Sequence, residues 1–394
     1  MISPTQLQHI RSAIGDAGLD GWLLFDFRGI NPIASRLVGV EGMVTRRYFC
    51  YIPRDAGAVP VALTHAIEQG PWEKWPESWD KRVYSSWRDL ERNLAELVRG
   101  QRVAMEYSPG DAVPYLDRIP AGVLEMVRAA GAEVFSSADL VTRFYAVWSD
   151  ANVESHRRAA EHLGRIARNA LSLAGERAHA GKPMNEFELA SLIRDEFAEA
   201  DLYTNHGPNV SVGANAANPH YEPSAEQSAL INEGDILLID LWAREADGVY
   251  ADQTWMGSLG EPSAHNKEIW EAVRGARDAA IDYLRTNINN GEPVRGGDVD
   301  DVARDFIKAR GFGDQFIHRT GHSIDPRDLH GSGPNIDNLE TRDERLLLPG
   351  VAFSIEPGIY IAGDVGMRSE VNAYIESDGV LITPRKPQHD LMVV

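Results

Sequence analysis

Imidazoles and carboxylates crowd one stretch of this 394-residue chain, between His318 and Glu370. It reads His318-Arg-Thr-Gly-His322, then His330, then Ser354-Ile-Glu356-Pro-Gly-Ile-Tyr360, then Arg368-Ser-Glu370. These are the ligand types that borderline divalent metals prefer. Glu356 ends the apolar run Val351-Ala-Phe-Ser-Ile355, which has the character of a buried strand. A carboxylate in that position must be paired, neutralised or bound to a cation. Upstream, Asp240 lies at the far end of a second apolar run that starts at Asp235. Asp252 sits in Val249-Tyr-Ala-Asp252-Gln-Thr254, which alternates like a returning strand. Asp247-Gly248 marks a tight connection between the two, and a hairpin there turns both carboxylates to one side of a sheet.

Each feature alone has an ordinary explanation. Two acids twelve positions apart are common in a chain with 59 of them, and Glu356 and Glu370 could each sit in a salt bridge. His318 and His322 have helical spacing, yet Thr320-Gly321 between them reads as strand or turn, leaving room for only one as a ligand. Together, two Asp, one His and two Glu supply enough oxygens and one nitrogen for two divalent cations bridged by carboxylates. Two such ions clamp a hydroxide between them, lower its pKa and stabilise the oxyanion formed on attack. The excess of carboxylate over imidazole suits Mn²⁺, Co²⁺, Fe²⁺ or Zn²⁺ rather than copper.

The elements that must position these groups are those of an ordinary globular chain, 43% hydrophobic and 25% charged, long enough for two or three domains. A net charge of −20 argues against nucleic acid as a partner, since phosphate binding needs a basic face. The single cysteine, Cys50, rules out an intrachain disulfide and multi-thiolate zinc, and fits a reducing compartment. The first twenty residues lack the apolar core of a signal peptide, and no eighteen apolar residues run together. A cytoplasmic protein with no membrane span is expected.

The first 150 residues alternate between helix and strand. Strands are expected at Trp22–Phe25, Tyr48–Ile52, Val59–Leu63, Val103–Met105 and Val134-Phe135, with helices over 1–20, Asp89–Val98 and Pro114–Ala130. No phosphate-binding glycine fingerprint follows any of them. Trp72, Trp75, Trp79 and Trp87 read as a patch packed on the second domain or a partner, or as an aromatic wall over a substrate pocket. The character changes near Ser149-Asp-Ala-Asn152, which sets a domain boundary near residue 150. A long amphipathic helix follows, then a second helix starting at Asn185 with Glu188 in a partial capping box. Asn205–Asn218 reads as loops joined by a short strand, and two more helices are expected near 265–286 and 298–310.

With these motifs in hand, the chain resembles the pita-bread metallopeptidases: prolidase, aminopeptidase P, methionine aminopeptidase and the metal-free creatinase. Five blocks occur in family order. They are Gly213-Ala-Asn-Ala-Ala-Asn-Pro-His220; Asp240-Leu with Tyr250-Ala-Asp252-Gln-Thr254; His318-Arg-Thr-Gly-His322 with His330; Glu356-Pro-Gly-Ile-Tyr360; and Gly366-Met-Arg368-Ser-Glu370. The resemblance covers about residues 152–394. It implies an α/β N-terminal domain (1–150) and an α+β pita-bread catalytic domain (151–394).

The same resemblance makes Asp240, Asp252, His322, Glu356 and Glu370 the ligands of two divalent ions, Mn, Co or Zn. Glu356 becomes the proton acceptor for the bridging water, and Arg368 orients the carboxylates. His220 and His330 become substrate-facing, and Tyr360 stands where several members have an active-site tyrosine. A homodimer is implied as well, with the tryptophan segment as its contact. Departures are the one-residue-longer intervals Asp240–Asp252 and His322–His330, the polar Asp325-Pro-Arg-Asp328, Trp242 for a glycine and Trp255 for an arginine. All of these are expected on the walls near the metals.

The implied activity is hydrolysis of Xaa-Pro dipeptides by a metal-bridging hydroxide, with Arg342 holding the substrate carboxylate as a nearby cation should. Its alternatives are aminopeptidase P activity on longer peptides and a non-peptidase C–N hydrolase or binding module on the same fold.

Overall fold

The computed structural model describes residues 2–42 and 44–394. The chain divides into two compact units, Met1–Tyr145 and Ala146–Val394.

In the first unit α1 (Pro4–Asp16) leads into β1 (Gly21–Asp26), α2 (Pro32–Val38), β2 (Tyr48–Pro53), β3 (Val61–His65) and β4 (Asp80–Tyr84). Then come α3 (Trp87–Val98), β5 (Arg102–Met105), α4 (Ala121–Ala129), β6 (Glu133–Ser136) and α5 (Ala138–Phe144). The strands form one sheet in the order β4-β3-β2-β1-β5-β6. All of β1 and β2 is buried, because the sheet is covered on both faces. Trp22 and Leu24 pack into one core with Tyr48 and Cys50; Leu23 and Phe25 pack into the other with Phe49 and Tyr51.

Two expectations fail in this unit. Pro114–Ala130 is not one helix: a 3₁₀ turn at Pro114–Leu116 is followed by α4, with Pro120 as its N-cap. Proline lacks the N–H a continuous helix needs and drives the residue before it out of helical geometry. The tryptophans are not a surface patch either. Trp72 and Trp75 are buried in the unit's own core, and Tyr48, Trp72, Trp75 and Trp79 follow one another edge to face at 5.0–5.5 Å. Only Trp87 of the four is exposed.

The second unit opens on α6 (Asp150–His179), whose N-cap Ser149 forms a full capping box with Asn152. It continues through α7 (Glu186–Glu199), capped by Asn185 with Glu188, and the strands β7 (Asn209–Val212), β8 (Ile236–Ala243) and β9 (Ala251–Ser258). Next come α8 (Ala264–Asn289), α9 (Gly296–Lys308), β10 (Ala352–Ile355), β11 (Gly358–Ile361), β12 (Val365–Arg368), β13 (Val371–Ile375), β14 (Val380–Thr383) and β15 (Met392–Val393). One sheet runs β15-β9-β8-β7, a second β10-β13-β14, and β11 and β12 form a ribbon.

Period-two alternation in β8 and β9 sorts their side chains. Leu237, Ile239, Leu241, Ala251 and Trp255 pack with α6 and α7. Ile236, Leu238 and Met256 join α8, α9 and the C-terminal strands in a second core. Among the described residues no helix is long and apolar enough to cross a membrane.

Candidate metal centre

The β8–β9 register pairs Asp240 with Thr254 and Trp242 with Asp252, and residues directly opposite share a face. Asp240 and Asp252 thus lie on the side of the sheet away from α6 and α7. On the other wall Ile355 pairs with Val371, so Glu356, just past β10, and Glu370, just before β13, emerge at one end of that pair. The Asp252 amide donates to Asn372 Oδ1 at 2.9 Å and ties the two sheets together there.

His322 comes from an extended segment: Ser323 bridges to Phe353 and Gly321 to Ile336. Its amide donates to Ser354 Oγ at 2.9 Å, and that hydroxyl donates to Glu356 Oε1 at 3.0 Å. The His322 Nδ1 faces the Ser323 carbonyl at 3.2 Å. Nδ1 therefore carries the proton, and Nε2 presents its lone pair 3.4 Å from Asp252 Oδ2 and 3.6 Å from Glu356 Oε1. Donor atoms of Asp252, His322 and Glu370 all lie within 4.8 Å of one another. Arg368 contacts Asp240, stands 3.8 Å from Glu356 Oε2, and donates from Nε to Thr254 Oγ1 at 2.8 Å. That hydroxyl in turn donates to Glu370 Oε2 at 2.8 Å.

Four carboxylates here face one guanidinium, and the electrostatics reflect it. Burial first, and the neighbouring acids after it, push Asp240 up to about 7 and Asp252 up to about 8. Burial and the same neighbours hold Glu370 well above the usual range. Burial would raise Glu356 too, but His322, Arg368 and His318 together outweigh it and lower that carboxyl. Asp252 Oδ1 and Glu370 Oε1 are buried and meet no donor among the described residues. Orphaned carboxylate oxygens beside an imidazole lone pair are what a divalent cation satisfies, so the residues fit a metal-binding group.

The remaining expected residues divide into those near the cluster and those apart from it. The His330 ring stands edge-on to His322 at 4.2 Å. The adjacent His322 ring and then burial push His330 down to about 3, so it is neutral at pH 7. His220 lies on the exposed loop after β7, within electrostatic reach of His330. His318 lies within electrostatic reach of Glu356, but its ring nitrogens are engaged elsewhere. Its Nδ1 faces the Arg319 carbonyl at 2.7 Å, and its Nε2 accepts from the buried Tyr360 hydroxyl at 2.8 Å. Arg342 has a side chain 77% exposed, 3.6 Å from Glu344.

Of the departures, Trp242 lies on the site face, donating to Asn205 Oδ1 at 3.1 Å and packing against the cluster that holds Val249, Tyr250 and Ile324. Asp325 is buried and accepts from the amides of Arg327, Asp328 and Ser332, a loop satisfied from within. Trp255 is a correction. It sits one residue past Thr254, hence on the opposite face, with Arg168 over its ring at 5.0 Å. Sequence reading missed Ser354, Thr254 and the His318–Tyr360 pair. A polar residue inside an apolar strand run was the available signal for the first.

Three comparisons bear on this geometry. Metallopeptidase family M24 matches residues 154–377. A probable dipeptidase PepE of Mycobacterium bovis is 28% identical over 295 residues, 72% of this chain and 69% of that protein. An Xaa-Pro dipeptidase of Lactobacillus helveticus is 36% identical over 170 residues, 43% of this chain and 42% of that protein. Among solved structures, dipeptidase PepE from Mycobacterium ulcerans superposes with a TM-score of 0.77 at 24% identity, covering 100% of this chain and 98% of the other. That likeness is one of fold, the pita-bread fold the sequence motifs implied.

Proposed function

The chain belongs to metallopeptidase family M24, and on that premise we propose that it hydrolyses Xaa-Pro dipeptides with two divalent ions per chain. The observation that carries this reading is the buried group Asp252, His322 and Glu370, with carboxylate oxygens that no donor among the described residues reaches. Asp240, Asp252, His322, Glu356 and Glu370 hold the ions, which are manganese, cobalt or zinc. When bound, such ions polarise a carbonyl and acidify a water near neutral pH.

The chain's own groups do the rest. Glu356 takes the proton of the attacking water and passes it to the leaving nitrogen, with Ser354 Oγ fixing its Oε1. Arg368 steadies Asp240 directly and Glu370 through Thr254. His330, neutral at pH 7, and His220 direct ring N–H groups at the scissile carbonyl and the tetrahedral oxyanion, where one well-placed donor contributes about 3 kcal/mol. Tyr360, held by His318, closes the wall beside Glu356. The names of the Lactobacillus and Mycobacterium relatives support a dipeptidase. A cytoplasmic homodimer completes the proposal, and sedimentation equilibrium checks the dimer.

One observation favours a second reading, removal of the first residue ahead of proline from longer peptides. Arg342, the expected holder of a dipeptide's carboxylate, is exposed and faces Glu344. Release of the first residue, Xaa, from an Xaa-Pro dipeptide and from an Xaa-Pro-Yaa tripeptide, each with Mn²⁺ and an Asp252→Asn control, separates the two. Cleavage of the dipeptide alone, lost in the control, is expected. Cleavage of the tripeptide moves the assignment to aminopeptidase P, and cleavage of neither by metal-loaded protein ends both.

A further inference from the structure

Glu186, the first residue of α7, is fully buried, and its carboxylate is satisfied by hydrogen bonds alone. Its Oε1 accepts from the Val212 amide at 2.8 Å and from Asn215 Nδ2 at 3.0 Å. Its Oε2 accepts from the Ala229 amide at 2.8 Å and the Tyr221 hydroxyl at 2.6 Å. The Glu186 amide returns a bond to the Ala229 carbonyl at 3.0 Å. A buried charge is tolerable when its lone pairs are filled in this way.

The partners come from the two ends and the middle of one loop. That loop leaves β7 at Gly213, passes His220 and Tyr221, and returns at Ala229. From 217 to 230 no residue is buried; Ala229, at the loop's return, packs on the core beside α6 and α7, but apolar packing does not fix the stretch around His220 and Tyr221. Its outgoing base is pinned where Gly366 meets Ala216, too close for any side chain at 366. Past that point its ties into the fold, among the described residues, are those to Glu186, the Asn185–Leu230 bridge, the Met184 carbonyl and a long contact from Asn209 to the Pro219 carbonyl. Tyr221, whose hydroxyl Glu186 holds, is the immediate neighbour of His220.

We propose that Glu186 is a positioning residue, which acts on the reaction by holding the 213–229 loop so that His220 faces the metal centre. This rests on the reading of His220 as a substrate-facing donor. A carboxylate suits the role because each partner is a donor. A glutamine would turn an NH₂ group toward either the Val212 or the Ala229 amide and lose that tie at nearly unchanged volume.

The test is steady-state kinetics of the full-length Mn²⁺-loaded protein on whichever proline peptide the wild type cleaves. The variants are Glu186→Gln, Tyr221→Phe, His220→Ala and the double variant Glu186→Gln/His220→Ala. Hydrogen–deuterium exchange of residues 209–232 and bound manganese are read alongside. Glu186→Gln is expected to lower kcat by roughly 10- to 100-fold with little change in KM, the size a misplaced catalytic group produces. Exchange should rise in the loop alone, with metal content unchanged. Tyr221→Phe, which removes one hydroxyl and keeps the ring, should show the same pattern more weakly.

The double variant should be no slower than His220→Ala, because the effect of Glu186 passes through His220. Losses that multiply in the double variant overturn the proposal while leaving His220 in its role. A fully active His220→Ala overturns the reading of His220 and the proposal with it. Loss of manganese in Glu186→Gln assigns the residue to the fold of the centre instead.

Discussion

His156 offers a stability test independent of the metal centre. It is fully buried on α6, with Nδ1 2.8 Å from the Tyr250 carbonyl, Nε2 2.7 Å from Thr383 Oγ1, and the Trp148 ring 4.7 Å away. Facing a carbonyl, Nδ1 must donate, so the ring is neutral and Nε2 accepts from the threonine. Burial pushes its pKa from 6.5 down to about 4. A depressed folded pKa contributes stability that is present above 6.5 and lost as pH falls through 4. At 1.36 kcal/mol per unit that gap corresponds to about 3 kcal/mol.

His156→Gln keeps a donor and an acceptor but removes the titration. Denaturant unfolding followed by far-UV circular dichroism at pH 7.5 and again near pH 4 gives the difference between the two proteins. Carboxylates titrate in both and cancel in that difference. The wild type should lose about 3 kcal/mol more than the variant over this interval. Parallel pH profiles would refute the assignment of a buried neutral imidazole.

Glu106 in the first unit has the opposite sign. It is buried against Trp22 Nε1, Asn31 Nδ2 and Ser137 Oγ, and burial pushes it from 4.5 up to about 7. Its contribution is full below 4.5 and fades as pH rises through 7, about 3 kcal/mol in all, so Glu106→Gln should flatten the fall in unfolding free energy above pH 5. Thr254→Val removes the hydroxyl between Arg368 Nε and Glu370 Oε2. Hydrogen bonds to charged groups contribute about 1.5–3 kcal/mol, so kcat/KM should drop by roughly one to two orders of magnitude while the melting temperature changes little. Gly366→Ala places a Cβ 1.8 Å from the Ala216 carbonyl oxygen. Overpacking of this kind costs about 1–3 kcal/mol, which thermal unfolding would register as a lowered midpoint.

The candidate centre was legible because its proposed ligands are imposed on strands that are otherwise apolar. Asp240 ends such a run, and the alternation around Asp252 put both acids on one face, as the register has it. The same alternation places Trp255 on the far face, so reading it as a wall of the site ignored period two. Trp72 and Trp75 misled because clustered aromatics serve a core as well as an interface, and only tertiary packing decides between them. Pro120 was a legible break that helical periodicity on either side obscured. Glu186 was illegible as a loop clamp. An acid at the start of a helix is commonplace, and its partners at 212, 215, 221 and 229 are brought to it by the fold.

The central claim is that the cluster of carboxylates and His322 holds two divalent ions. Equilibrium dialysis of metal-stripped protein against Mn²⁺, with bound metal counted by atomic spectrometry, tests it most directly, alongside Glu370→Gln. The account predicts two ions per wild-type chain, a loss of bound metal in Glu370→Gln, and hydrolysis that returns only with the metal. A wild-type chain that binds no ion, or a Glu370→Gln chain that binds as many as the wild type, would contradict it.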